Sequence, residues 1–327
     1  MDQHRNALRL GAWVILFAAM VRLLSHGFFQ PMLELLQDPK VQSFLIYIET
    51  GRNVRFSPSS DAFFGESPPP QGELPVSLPV FSAEEGVPDM YYACSLRPEL
   101  APLLEKALEW NLVGTEPTVL ILHTHATESY TKGDAQYRES SAFRTLDENY
   151  NMLSIGTCVA DILSQNGISV IHDRELHDYP SYDGSYNNAR QSIRYYLEKY
   201  PSVQLVLDLH RDASGDLNNQ MRTLATVDGR DSAQLMLVMG TDGAGLSHPH
   251  WQENLALGLK LQTVLERLAP GITRPTVLRG QRFNQDLSTG ALLVEVGSAG
   301  NSHSEALLAA EKLAEAIIIL AKGAEGA

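Results

Sequence analysis

From residue 117 onward, short apolar runs alternate with longer helical periods, and this alternation restricts the chain to very few folds. TVLILH (118–123) reads as a buried strand, and NYNMLSIGTCVADILSQNG (149–167) as a helix stopped by Gly167. The pattern repeats with strand ISVIHD (168–173), helix YNNARQSIRYYLEKY (186–200) and strand VQLVLDLH (203–210). It continues with strand AQLMLVMGT (233–241), helix ENLALGLKLQTVLERL (253–268), strand ALLVEVG (291–297) and a closing helix SEALLAAEKLAEAIIILAKG. The 203–210 run is nearly all apolar, as a strand covered on both faces must be. The expectation is α/β, a three-layer domain with a mainly parallel sheet.

Ahead of this domain the composition changes twice. Arg5 and Arg9 precede the apolar run LGAWVILFAAMV (10–21), and Arg22 follows it. The run has the length of a signal-peptide core, but no small-x-small cleavage site follows. Residues 1–30 therefore read as an uncleaved membrane signal anchor, with the bulk of the chain on the outer face; a buried soluble helix is the alternative. Residues 56–90 are linker-like, with Pro58, Pro68, Pro69, Pro70, Pro75, Pro79 and Pro88 among Ser, Gly and Glu. A helix over Pro98–Leu112 is expected to lead into the domain. The organisation expected is 1–30 anchor, 31–110 juxtamembrane region and proline-rich linker, and 111–327 catalytic domain.

A formal net charge of -14 argues against nucleic acid as a partner, because phosphate binding needs a basic face. Cys94 and Cys158 are the only two cysteines, too few for a disulfide scaffold or a thiolate zinc site. Cys158 lies in an apolar helical stretch and reads as a buried free thiol.

In folds of this kind ligands bind beyond the carboxyl ends of the strands. Three such ends carry imidazole and carboxylate: His123, His125 and Glu128 after the first, Asp208 and His210 on the third, and Glu295 in the last. Two His and one Glu are the usual ligands of a catalytic zinc ion, with water in the fourth position. His125, Glu128 and His210 are the preferred set, with Glu295 as the carboxylate that moves protons. His123 competes with His125, since alternate residues of an extended strand share a face. Asp147 and Glu148 compete with Glu128, though a helix start explains them already. Glu128 could instead pair with Arg138 or Arg144, and Glu295 with Arg282. Asp208 is suited to orienting a ligand, and His123, Arg211 and Arg282 are candidates either for supporting a ligand from behind or for contacting substrate. HPHWQEN (248–254) and RFNQDLSTG (282–290) look like donor-rich loops facing substrate, and His250 is a further possible ligand. No Gly-x-Ser-x-Gly elbow and no HExxH motif occurs.

HTHATESY (123–130), VIHD…HDYPSYDGSYNNAR (170–190), LDLHRDA (207–213), HPHWQENL (248–255) and RFNQDLSTGALLVEVGSAGN (282–301) together resemble the stage II sporulation protein P family. The resemblance covers roughly residues 115–322 and implies a membrane-anchored zinc amidase-like domain. It implies an N-acetylmuramoyl-L-alanine amidase that cuts the lactyl–L-alanine bond of peptidoglycan during sporulation engulfment. It further implies partnership with stage II sporulation proteins D and M, and it carries the family's zinc and catalytic positions onto His125, Glu128, His210 and Glu295. The rival functions are a zinc carboxypeptidase-like peptidase and a non-catalytic cell-wall-binding scaffold.

Overall fold

The apolar runs fold as strands and helices within about three residues of their expected ends, and two short strands with no strong pattern join them. A computed structural model describes residues 81–108, 110–132, 137–216 and 218–322. The expected anchor at 1–30 and the linker as far as residue 80 lie outside the described residues. In chain order the elements are β1 (Met90–Tyr92), α1 (Leu100–Glu105), β2 (Val119–Leu122), α2 (Met152–Gln165), β3 (Val170–His172), α3 (Ser185–Lys199) and β4 (Leu205–Asp212). Two small antiparallel pairs follow, β5 (Gly215–Asp216) with β6 (Asn219–Gln220) and β7 (Leu224–Val227) with β8 (Arg230–Ala233). Then come β9 (Leu235–Gly240), α4 (Trp251–Leu268), β10 (Thr276–Arg279), β11 (Ala291–Ser298) and α5 (His303–Lys322).

Seven strands form one sheet in the order β1-β10-β9-β11-β4-β2-β3. Every neighbouring pair is parallel except β11 with β9. The sheet also reaches upstream of the boundary expected near residue 110. β1 pairs with β10, and both Phe81 and Leu104 belong to the main core. All of this lies in one unit, Glu73–Ala327. β1 and β10 are too short, three and four residues, for alternation to mark them in the sequence. The helix expected over Pro98–Leu112 shortens to α1.

The side-chain period of two divides the strands between unequal layers. Along β4, Leu205, Leu207 and Leu209 enter the large core, which also takes the apolar sides of α2, α4 and α5. Val206 faces the other way, into a smaller cluster with Leu120, Leu122 and the α3 residues Ala189 and Ile193. Over β9, β10 and β11 that second face carries Met236, Val238, Val277 and Leu293, with Phe283 packed on them. Asp208, His210 and Glu295 follow in the same alternation, so this thinly covered face holds the polar residues.

Within the two loops read as facing substrate, Asn254 and Gln285 are instead structural. Asn254 Nδ2 donates to the Gln285 carbonyl, and Asn254 Oδ1 accepts from the Ala291 amide. Gln285 Oε1 accepts from the Gly240 amide at 2.7 Å while its Nε2 donates to the Val238 carbonyl. These buried amides satisfy backbone groups of the interior strands β9 and β11 and of the loop between β10 and β11.

Lys260 is buried on α4, where its Nζ donates to the carbonyls of Leu103 and Leu104 at the end of α1 and lies 5.4 Å from the centre of the Phe81 ring. Burial, with a smaller push from the Lys106 charge, lowers its pKa to about 8. The unfolded chain, with a lysine near its ordinary value of about 10.4, then binds more protons than the folded one, so stability rises with pH across this window. Urea midpoints of the wild type measured from pH 8 upward are expected to rise relative to those of Lys260→Met. A constant difference between the two would show that Lys260 does not titrate in the folded protein.

Candidate active site

Strand register places the first part of the site. Glu295 on β11 lies opposite His210 on β4, and Leu293 opposite Asp208, so all four project on one face. Directly beyond Glu295 the register slips, at Gly297 with φ +71°, a conformation that favours glycine.

The second part comes from the chain after β2. That strand ends at Leu122 and the backbone turns at once. The Thr124 amide and hydroxyl both donate to Asp208, at 2.8 and 2.6 Å, and tie the turn to β4. The Thr127 hydroxyl donates to Asp178 at 2.6 Å, and Arg144 donates to the same carboxylate at 2.6 Å. Because the strand stops, His123 and His125 do not share a face as expected. His123 turns toward α2, where its Nε2 lies 3.0 Å from His172 Nε2 in the space left by Gly156. His123 Nδ1 is 3.0 Å from the Leu209 carbonyl, and burial, with the neighbouring His172, lowers the His123 pKa to about 3. His123 is therefore a neutral core residue, and His125 alone turns to the site.

There His125 and His210 meet edge to face with ring centres 5.2 Å apart, and His210 Nδ1 lies 3.7 Å from Glu128 Oε2. His210 Nε2 sits 2.9 Å from Asp208 Oδ1 without the angle of a hydrogen bond. His125 Nδ1 and Glu295 Oε2 are likewise buried with no partner. Two tyrosines missed in the sequence enclose the imidazoles. Tyr182 stacks on His125 with ring centres 4.5 Å apart and its hydroxyl 3.2 Å from Nε2; Tyr186 lies 5.5 Å from His125 and 6.4 Å from His210. Tyr186 lies in the first turn of α3 and Tyr182 in the turn ahead of its cap, Gly184.

Glu128 is held by two guanidinium groups. Arg211 donates to it through its backbone amide at 3.3 Å and its side chain at 3.4 Å, and Arg144 approaches to 3.4 Å. Burial opposes ionisation, but Arg211 above all, then His210, keep its pKa below the ordinary value. The pairing with Arg144 weighed from the sequence is thus real. Arg211, weighed either as a support behind a ligand or as a substrate contact, is buried against Glu128, and it spends its other donors on the carbonyls of Ser129 and Phe143 at 2.8 Å. Arg282 pairs with Asp286 at 3.3 Å, not with Glu295. Glu148 pairs with Arg174 on the surface and Asp147 accepts from the Asn149 amide, so of these three acids Glu128 is the one beside His210. His250 precedes α4 without a capping bond, and both cysteines are free.

The electrostatics separate the groups. Burial raises the Glu295 pKa to about 8, with the His210 charge opposing and Glu128 adding to the rise. Burial lowers that of His210, but the Asp208 and Glu128 carboxylates carry it up to about 9. His125 is pulled down to about 4, chiefly by burial. A carboxyl that exchanges its proton near neutrality beside imidazoles is suited to general acid–base chemistry.

The His125 imidazole with its unpartnered Nδ1, the His210 imidazole and the ionised Glu128 carboxylate fit a borderline cation such as zinc in donor type. Among the described residues no group of three His, Cys, Asp or Glu side chains is drawn together closely enough to hold an ion in this structure.

A family model described as stage II sporulation protein P matches residues 82–318. The chain belongs to that family. A relative, the stage II sporulation protein P of Bacillus subtilis (strain 168), is 27% identical over 219 residues, 62% of this chain and 50% of that protein. The chain thus spans about half the length of the curated relative it matches. Among solved structures, the N-acetylmuramoyl-L-alanine amidase AmiC2 of Nostoc punctiforme is 16% identical with a TM-score of 0.36, covering 64% of this chain and 97% of that one. An N-acetylmuramoyl-L-alanine amidase from Clostridium difficile 630 is 16% identical with a TM-score of 0.38, covering 63% and 95%.

Removing Arg211 would leave the buried Glu128 charge with Arg144 as its remaining guanidinium partner. Arg211→Ala is expected to destabilise the fold by about 3–5 kcal/mol, the usual effect of breaking a buried ion pair. Arg144→Ala should do less, because Arg144 is partly exposed and shares its charge with Asp178. Urea unfolding of both variants checks the order; equal losses would show that Arg211 is not the principal counter-ion.

Proposed function

We propose that this chain is a membrane-anchored, zinc-dependent N-acetylmuramoyl-L-alanine amidase that hydrolyses the lactyl–L-alanine amide bond of peptidoglycan in septal wall degradation during engulfment. Membership of the sporulation family supports the setting. The observation that carries the chemistry is Glu295, a half-buried side chain whose shielded Oε2 has no partner and whose pKa is raised to about 8, opposite His210 in strand register.

His125, Glu128 and His210 would hold zinc, which when bound supplies a water acidic enough to lose its proton near neutrality and a Lewis acid for the carbonyl. Glu295 accepts the proton from the attacking water. The same carboxyl then returns it to the departing alanine nitrogen, so that no charged amine or amide anion must leave. Asp208 sets the His210 ring through the 2.9 Å approach and fixes the 124–127 turn, so one carboxylate positions two of the proposed ligands. Arg211 and Arg144 keep Glu128 ionised, as a ligand must be.

The proposed anchor at 1–30 would put this domain on the outer face of the membrane, in the septal space. Among the described residues no helix is long and apolar enough to cross a membrane. Stage II sporulation proteins D and M are the proposed partners.

Metal analysis of the full chain is expected to find one zinc, lost in His210→Ala. Glu295→Gln should retain the zinc while turnover of purified peptidoglycan falls by about 10²–10⁴. Release of complete stem peptides with a free alanine amino group would identify the bond cut. Shortened stems still attached to glycan would show a carboxypeptidase instead. Zinc lost together with activity in Glu295→Gln would make Glu295 a ligand.

A further inference from the structure

Beside the His125–His210 pair a cavity of about 300 Å³ opens over the second face of the sheet, lined by Tyr186, Arg190, Leu246, Arg282 and Phe283 among others. It shares one side chain, Tyr186, with the surroundings of the site. Tyr186 stacks 6.4 Å from His210 on one side and lies 6.0 Å from Phe283 on the other.

Its wall is held in an unusual backbone conformation. Phe283 and Asn284 are consecutive non-glycine residues with φ of +51° and +59°. Each such residue costs of the order of 1–3 kcal/mol and persists only where its surroundings enforce it. Here the enforcement is visible. Asn284 Nδ2 donates to the Tyr186 carbonyl at 2.8 Å, and its Oδ1 accepts from Arg190 at 3.3 Å. The adjoining Gln285 is locked to Gly240 and Val238. The loop is thus held rigid, with Phe283 packed on the sheet and open to the cavity.

Charge completes the description. Arg190 makes a two-point pair with Asp286 at 2.8 and 2.6 Å, which satisfies that carboxylate. Arg282 reaches the same carboxylate at 3.3 Å and is partly exposed. Two guanidinium groups therefore share one carboxylate, and among the described residues lining the cavity none is acidic. Leu246, more than half exposed, adds an apolar rim.

We propose that this cavity is the subsite for the peptide side of the substrate, with Arg282 receiving a peptide carboxylate and Tyr186, Phe283 and Leu246 packing its aliphatic side chains. The assignment rests on the amidase reading and deepens it. A neutral glycan would use the aromatic surface but would have no use for a surplus guanidinium, whereas a short acidic peptide uses both. The rigid wall fits the same purpose, since a preformed site avoids ordering costs on binding.

The test uses the full chain and a synthetic stem tripeptide without sugar, in two forms: free carboxylates, and every carboxylate amidated. Calorimetric titration is expected to show the free form binding about tenfold tighter than the amidated one. Arg282→Ala should remove that preference, weakening the free form by about tenfold while leaving the amidated form unchanged. Leu246→Asp, at an exposed position that folding tolerates, should also weaken the free form and keeps the test decisive if Arg282→Ala melts early. Equal binding of the two forms, no binding of either, or an Arg282→Ala variant that binds like wild type would overturn the subsite. So would a neutral N-acetylglucosamine oligomer whose binding Arg282→Ala weakens. Peptide binding without cleavage of peptidoglycan by the wild type would defeat the amidase reading alone. Cleavage without peptide binding would defeat the subsite alone.

Discussion

The carboxylate of Asp208 joins parts of the molecule that no local rule connects. It projects from the middle of an apolar strand, accepts from the Thr124 amide and hydroxyl, and approaches His210 at 2.9 Å. A buried carboxylate is expensive unless its oxygens are satisfied, so the turn after β2 must close onto β4 for Asp208 to be accommodated. Closing it sends His125 toward His210 and brings Glu128 to the backbone amide of Arg211. The arrangement of the proposed ligands thus follows from satisfying one acid.

The uneven layers supply the room. α2, α4 and α5 fill one face of the sheet with a large apolar core. The other has α3 over β2 and β4 and little more than Phe283 over β9, β10 and β11. A sheet closed equally on both sides would have buried Glu295 among hydrocarbon with nothing to exchange a proton with. Here the same strand period that sends Val294 and Val296 into the core sends Glu295 to the thin side.

Polar residues in this protein divide by what they complete. Asn254 and Gln285 complete the backbone of the sheet and the loop that follows β10. Arg211 completes Glu128 and two carbonyls of the 129–143 stretch. His125 and Glu295 each keep a buried atom with no partner, and the Arg282 side chain is partly exposed. Chemistry is expected where such capacity is left over.

Much of this was legible in the sequence, for physical reasons. The runs at 118–123, 203–210 and 291–297 announce strands because burial on two faces demands unbroken apolar residues, and polar residues at their ends stand out against that background. Those breaks pointed to His125, Glu128, His210 and Glu295, side chains the fold does gather, and to Asp208 as a positioning acid. β1 and β10 escaped because three or four residues carry no readable period, and the family match, too, begins at residue 82, ahead of the boundary the composition suggested. Which way His123 turns depended on where β2 stops, and whether Arg211 and the 248–254 loop meet substrate depended on which buried carbonyls and carboxylates needed donors. The sequence by itself determined the central strands, the long helices and the chemical types at their ends, because these follow from local periodicity and burial. Only the tertiary structure decided which polar groups are satisfied and which are left over, because a hydrogen bond depends on the distance between groups far apart in the chain.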